Sequence, residues 1–388
     1  MQMLPTLIPA TPFGIADVHL TSSNVTEADY AAWASGTTYA AGDRAIIVSP
    51  SNTATFTIAS PCVMTWAANK ALPENTPISF STTGALPTGL TAGRIYFTRN
   101  WVTASATCNL ALTPDGAPIN TTGSQSGTHT GNATRHDVYE SLVGSNTGNH
   151  PATSPNHWFR VDSTNRWRMH DNSMGTQTAN AGSIANVYEA TQIIDAVALM
   201  NISAASVRVT VTDATDGLVF DETVSGIAPP SVSSFYAWGF EPIVRVTDML
   251  ITGMPPYINA AIGITLTDTG GTALCGNCVM ALIRDFGGTA YGMSMRIDDY
   301  SVKERSAQGI YTIVEGDYSR RMTGMVYVEA GQVPAVFNLL ASFRAIPAVY
   351  IGSSLYGPSF IFGFLTTYDI VVDFPTQSLL KIEAESLI

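Results

Sequence analysis

A mainly β, multidomain protein is what the sequence predicts, and three observations predict it. Short runs such as Thr53-Ala54-Thr55-Phe56-Thr57-Ile58 alternate at a period of two, and turn residues punctuate such runs about every 8–12 positions, the pattern of short antiparallel strands. Only Val333 to Phe343 spaces its apolar residues (Val333, Val336, Phe337, Leu340, Phe343) for a helix, with Pro334 suited to a first turn. Finally, an aromatic module is cut in two by about 90 residues of different composition, as expected of one domain inserted into another.

The first half of the module, with a leader before it, occupies 1–48 and contains Trp33-Ala34-Ser35-Gly36-Thr37-Thr38-Tyr39-Ala40-Ala41-Gly42-Asp43-Arg44-Ala45-Ile46-Ile47. Gly36 and Gly42-Asp43 supply turns, and Ala45 to Val48 reads as a strand. The second half, 136–163, carries Tyr139-Glu140-Ser141-Leu142-Val143, a turn through Thr147-Gly148-Asn149, and Trp158. A module of roughly 50 residues has little apolar surface, so its aromatics must supply most of the packing. In their order, Trp33, Tyr39, Gly42-Asp43, Tyr139 and Trp158 resemble the small chitin-binding type of carbohydrate-binding module. That resemblance makes Trp33, Tyr39, Tyr139 and Trp158 glycan-binding candidates, and core packing is the other reading of the same rings. An exposed aromatic pair usually follows the third-strand Tyr in that family, whereas here the stretch reads Leu142-Val143.

The interruption, 49–135, is rich in Thr, Ser, Gly and Ala and reads as a small β-domain with strands near 53–58, 78–81 and 94–98. Its Thr82-Thr83-Gly84-Ala85-Leu86-Pro87-Thr88-Gly89-Leu90 string resembles a β-domain that recurs in tail-associated proteins of tailed bacteriophages. From 164 to 270, strands at Ile193–Met200, Ser206–Asp213, Leu218–Phe220, Thr247–Ile251 and Ala260–Thr267 predict a jelly-roll-like β-sandwich. Cys275-Gly276-Asn277-Cys278 has hairpin-turn chemistry at its centre; a zinc site would need two more ligands at reachable spacing. The C-terminal β-domain, 271–388, takes strands near 322–328, 348–351, 361–364, 370–372 and 379–382 around the one helix.

The 388 residues carry 18 basic and 30 acidic side chains, a net charge of −12, and only 12% are charged. That sign repels phosphate, so no nucleic-acid partner is expected. No apolar run is long enough to span a membrane, and no secretory leader pattern opens the chain, so a soluble protein without membrane insertion is expected. Four cysteines suit a reducing compartment. Asp298 and Asp299 are adjacent and would point to opposite faces of a strand, a poor geometry for paired catalytic carboxylates. The histidines His19, His129, His136, His150, His157 and His170 show no metal-binding spacing. No enzyme activity, catalytic residue, metal or cofactor is therefore expected.

Over most of its length the chain resembles an uncharacterised group of tailed-phage structural proteins. The shared features are the Leu4-Pro5 to Ile8-Pro9 leader, the interrupted module, Asn165-Arg166-Trp167-Arg168-Met169, Phe240-Glu241-Pro242, Tyr291-Gly292 and Asp299-Tyr300-Ser301. The resemblance implies a virion protein of the tail tip or baseplate, assembled in the cytoplasm of the bacterial host and aiding host attachment. Its implied partners are other tail and baseplate proteins. The alternative is a receptor-binding protein whose main role is recognition of a host cell-surface glycan. An apolar content of 45% with few charges suggests surfaces made to be covered, hence a homo-oligomer.

Overall fold

A computed structural model describes residues 19–387, apart from 49–50, 67–71, 73, 75–76, 103, 114–115, 134–135, 150, 152–153, 172, 190–192, 228–233, 241–244, 306–307, 310, 343–346, 353–358 and 373–374. The leader motif, His150, Glu241-Pro242 and Phe343 thus lie outside the described residues. The fold is mainly β, in several sheets and one closed barrel.

Strand β1 (Leu20–Ser23) precedes the module's first strands, β2 (Thr38–Tyr39) and β3 (Arg44–Val48). The insertion supplies β4 (Ser51–Phe56), β5 (Met64–Trp66), β6 (Pro77–Thr82), β7 (Tyr96–Val102), β8 (Thr107–Ala111) and β9 (His129–Ala133). These six close into a barrel in the order β4-β5-β8-β7-β6-β9, which leaves no open edge. Met64, Trp66, Ile78, Phe80, Tyr96 and Leu110 fill it, and Phe56 meets Phe80 edge to face at 4.9 Å. Gly131 on β9 is a packing requirement, because a Cβ there would lie 2.4 Å from the Trp66 ring.

After the barrel come β10 (His136–Ser141), β11 (Asn146–Thr147) and β12 (Trp158–Ser163). β10 pairs antiparallel with β3 from His136↔Val48 to Glu140↔Arg44, and β11 pairs with β2. The two halves separated in sequence therefore form one unit. Because Val48 and His136 are direct partners, the barrel hangs from two points about 5 Å apart.

The central domain contains β13 (Thr178–Glu189), β14 (Ala196–Ser203), β15 (Ser206–Asp213), β16 (Gly217–Ser225), a short helix α1 (Phe235–Phe240), β17 (Met249–Thr252) and β18 (Ala261–Ala281). β18 pairs β13 from Ala261 to Cys275, β15 with its first part and β14 with its last, so a single seven-stranded sheet surrounds one core. The β13–β18 register shifts between Ala181 and Ser183, where Gly182 of β13 (φ 76°) faces the extra residues 268–271 of β18, among them Gly270 (φ 83°); irregularities of this kind bend strands. Helix α1, which carries no periodic apolar pattern, lies between β16 and β17.

Two expectations are corrected by β18. It runs without a break across the expected 270/271 boundary, because its 21 residues serve one core on both sides of that point. Cys275-Gly276-Asn277-Cys278 is strand interior, not a turn: Asn277 pairs Met200 and Cys278 pairs Leu199. Gly276 is small here for packing, since a Cβ would lie 2.7 Å from that of Asn201. Asn201 itself has φ 50°, and around it Leu199 and Ile202 both reach the same core despite their odd spacing.

The C-terminal domain comprises β19 (Gly288–Thr289), β20 (Ser294–Asp299), β21 (Val302–Arg305), β22 (Tyr311–Val314), β23 (Tyr318–Glu329), helix α2 (Val333–Ser342), β24 (Ala348–Ile351), β25 (Phe360–Val371) and β26 (Gln377–Ser386). Its main sheet runs β19-β23-β26-β25-β24, with β20 also on β23. The two strands expected at 361–364 and 370–372 are one. Helix α2 lies where its spacing predicts and sends Val336 and Leu340 into the core, while Phe337 is exposed. A separate cluster joins this sheet to the central one: Ala198, Met200, Val279 and Ala281 pack on Val349, Ile351, Phe360 and Phe362.

Candidate functional site

The small module is where the sequence places function, and its interior is built from the expected aromatics. Tyr39, Ala45, Tyr139 and Trp158 form one buried cluster, with Trp33 and Ile47 half-buried against it. Trp158 meets Tyr39 edge to face at 4.9 Å, and its indole N–H donates to the Asn149 carbonyl at 2.9 Å. The Tyr39 hydroxyl accepts from the Ala34 N–H at 2.9 Å. With exposures of 8%, 4% and 3%, Tyr39, Tyr139 and Trp158 offer no free ring face to a sugar. This corrects the glycan-binding assignment for those three. A module this small has only these rings to pack with, and they are used for it.

The outward face of β3, β10 and β12 carries different residues. Arg44, Glu140 and Phe159 are direct cross-strand partners in a row. Arg44 binds Glu140 through Nε (2.9 Å) and Nη2 (2.8 Å) and donates to the Tyr30 hydroxyl at 3.1 Å. Its guanidinium lies 5.7 Å from the Tyr30 ring centre. Hydrogen bonds to Tyr30 and Glu140 raise the Arg44 pKa. Phe159 is 61% exposed and Leu142 and Val143 are exposed as well. An open ring beside an oriented charged pair is the donor and acceptor set that a polyhydroxylated ligand can use. Phe159 escaped sequence reasoning because it adjoins Trp158, and alternation alone cannot say which of two neighbouring aromatics points inward; the register to Glu140 decides it.

Behind the module a buried polar knot fixes its position on the central domain. Glu27 accepts from Thr164 Oγ1 at 2.7 Å, faces His136 Nδ1 at 2.7 Å and pairs with Arg166 at 3.2 Å. Burial pushes the Glu27 carboxyl up, but the His136 hydrogen bond and charge, Thr164 and Arg166 outweigh it and hold the pKa below the ordinary value. His136 stacks on Trp167 at 4.7 Å. Arg168 adds a contact to Asp162 at 2.8 Å. The motif Asn165 to Met169 is thus a clasp.

Other residues singled out by sequence lie apart. Burial pushes the Cys278 thiol up to about 12 and Cys275 well above its usual value, so both are core thiols. His129 bonds Thr82 at 2.8 Å inside the barrel, and His170 faces the Tyr188 hydroxyl at 2.8 Å. Asp298 binds Arg296 (3.0 Å) and Arg321 (3.1 Å), whereas Asp299 is held low by Lys303 and Ser301. Among the described residues, no group of three or more His, Cys, Asp or Glu side chains is placed to hold a metal ion, and no helix is long and apolar enough to cross a membrane. Comparison of the chain with protein-family models, curated proteins and solved structures finds no match to any of them.

Proposed function

We propose that this chain is a structural protein of a tailed-phage tail tip or baseplate that contributes to host-surface attachment. The observation that carries this reading is the rejoined module: β3 and β10 pair in register across an inserted barrel, in a chain whose other domains are also β. Such an arrangement suits a projecting head on a docking base. In this reading the protein is assembled in the bacterial cytoplasm, resides in the virion tail, and contacts tail or baseplate proteins and further copies of itself. Antibodies raised against the purified chain should label tail tips of intact particles in electron micrographs. Label on capsids alone, or on no particle of a phage encoding it, sinks the assignment.

One observation favours glycan recognition as an added role, namely the exposed row Tyr30, Arg44, Glu140 and Phe159. The ligand surface is then this outward face and not the buried aromatics. Purified protein should sediment with host envelope glycan, and Phe159→Ala should reduce the bound fraction at unchanged melting temperature. Equal retention of the variant would remove the row from consideration.

A further inference from the structure

We infer that the hairpin β21–β22 is a docking arm that lies on the outer sheet face of a second copy of this chain. The inference rests on the self-assembly part of the reading above and names the surfaces. All eight residues of β21 and β22 are exposed, and the two strands pair only with each other among the described residues. Val302, Tyr311, Ile313 and Val314 are between 51% and 66% exposed. A lone two-stranded hairpin is marginal in water, and an open apolar strand invites pairing. The hairpin is therefore built to be covered.

The same domain presents a matching surface. On the sheet face opposite α2, Tyr327, Leu379 and Val371 are direct partners across β23, β26 and β25. Tyr327 and Val371 are exposed, as is the neighbouring Met325. Glu329 and Asp369 flank this row, against one cation, Lys381. One face of the arm sets Lys303 beside Ile313 and Arg305 beside Tyr311. Apolar residues thus meet apolar residues, and the arm face, where Lys303 is paired with Asp299 and Arg305 adds a further cation, meets a row with net negative charge.

The arm cannot reach the row of its own chain. It continues the β20–β23 hairpin outward beyond the Asp299↔Tyr318 pair, whereas Tyr327 lies nine residues along β23 in the opposite direction, about 30 Å away. The contact is consequently between copies, and it joins two different surfaces. Head-to-tail contacts of this kind propagate into a ring or a filament.

Sedimentation velocity of the full chain over a concentration series tests this, with Ile313→Asp in the arm and Val371→Lys in the row. Both sites are solvated, so melting temperatures should stay unchanged. The wild type should associate, and each variant alone should dissociate at least about tenfold more readily. A mixture of the two variants should form dimers and nothing larger, because only one intact arm then meets one intact row. A wild type that stays monomeric at high micromolar concentration overturns the arm and the self-assembly reading together. A wild type that associates while either variant associates equally well, or a mixture that forms no dimer, overturns the arm alone.

Discussion

Trp158 is buried edge to face against Tyr39, whereas its neighbour Phe159 lies open on the outer face of the module. The aromatic order of the module marked its core, because so small a unit has few other rings to bury. Which ring faced outward depended on register across β10, which lies beyond local sequence. Trp158→Ala should therefore cost about 3–5 kcal/mol in denaturant unfolding of the module. A loss below about 1 kcal/mol would mean that the ring is not packed as the structure has it. His170 was legible only as a histidine without metal-binding spacing; its burial sets a pH response. Burial lowers its pKa from 6.5 to about 4, so the unfolded chain binds the proton first and stability falls as pH drops from about 6.5 towards 4. Asp171, raised by burial to about 6, acts oppositely, losing stability as pH rises from 3.8 towards 6. Glu27, held below its ordinary 4.5, is favourable above that value and loses its contribution as pH falls through its folded pKa. Between pH 6.5 and 4 the denaturant midpoint of His170→Gln should gain on that of wild type as pH falls, because the His170 loss is gone while the opposing Asp171 response remains. An identical slope would show that His170 does not contribute.

At the scale of elements, period-two alternation located most strands because each has one face against a core and one towards solvent, as β15 does in its buried Val207, Val209 and Val211. It failed where a strand is buried on both faces. Cys275 to Ala281 is buried at every position and so shows no alternation, and Gly276-Asn277 reads as a turn although Cys275 before it and Cys278 after it are both paired with β14. The barrel was legible as an insertion because its neck returns the chain to the next strand of the module. Replacing 49–135 by Asn-Gly should convert Val48 and His136 into the ends of a two-residue hairpin. The shortened protein should stay soluble, and its remaining domains should keep their cooperative melt, since the barrel has its own core. Aggregation of the shortened protein, or a broad melt, would show that the barrel supports the module after all.

In the whole molecule, the expected boundary at 270/271 did not survive because composition shifts mark where sequence character changes, not where contacts end. β18 serves the central core, and its last residues also meet the C-terminal sheet through Val279 and Ala281. Arg320 adds an ion pair to Asp248 across the same junction at 2.5 Å, beside a cavity of about 280 Å³ lined by Met174, Asn201, Tyr318 and Phe362. The apolar cluster there contains four residues from each sheet, enough to couple their unfolding, and the ion pair between largely buried Asp248 and the more exposed Arg320 adds a polar contact across the same junction. Phe362→Ala should cost about 3–5 kcal/mol by opening this cluster. Hydrogen exchange followed by mass spectrometry should then show faster exchange in β14 and the end of β18 as well as in β24 and β25. Faster exchange confined to β24 and β25 would mean that the two sheets unfold independently and that the shared cluster is a contact without cooperativity.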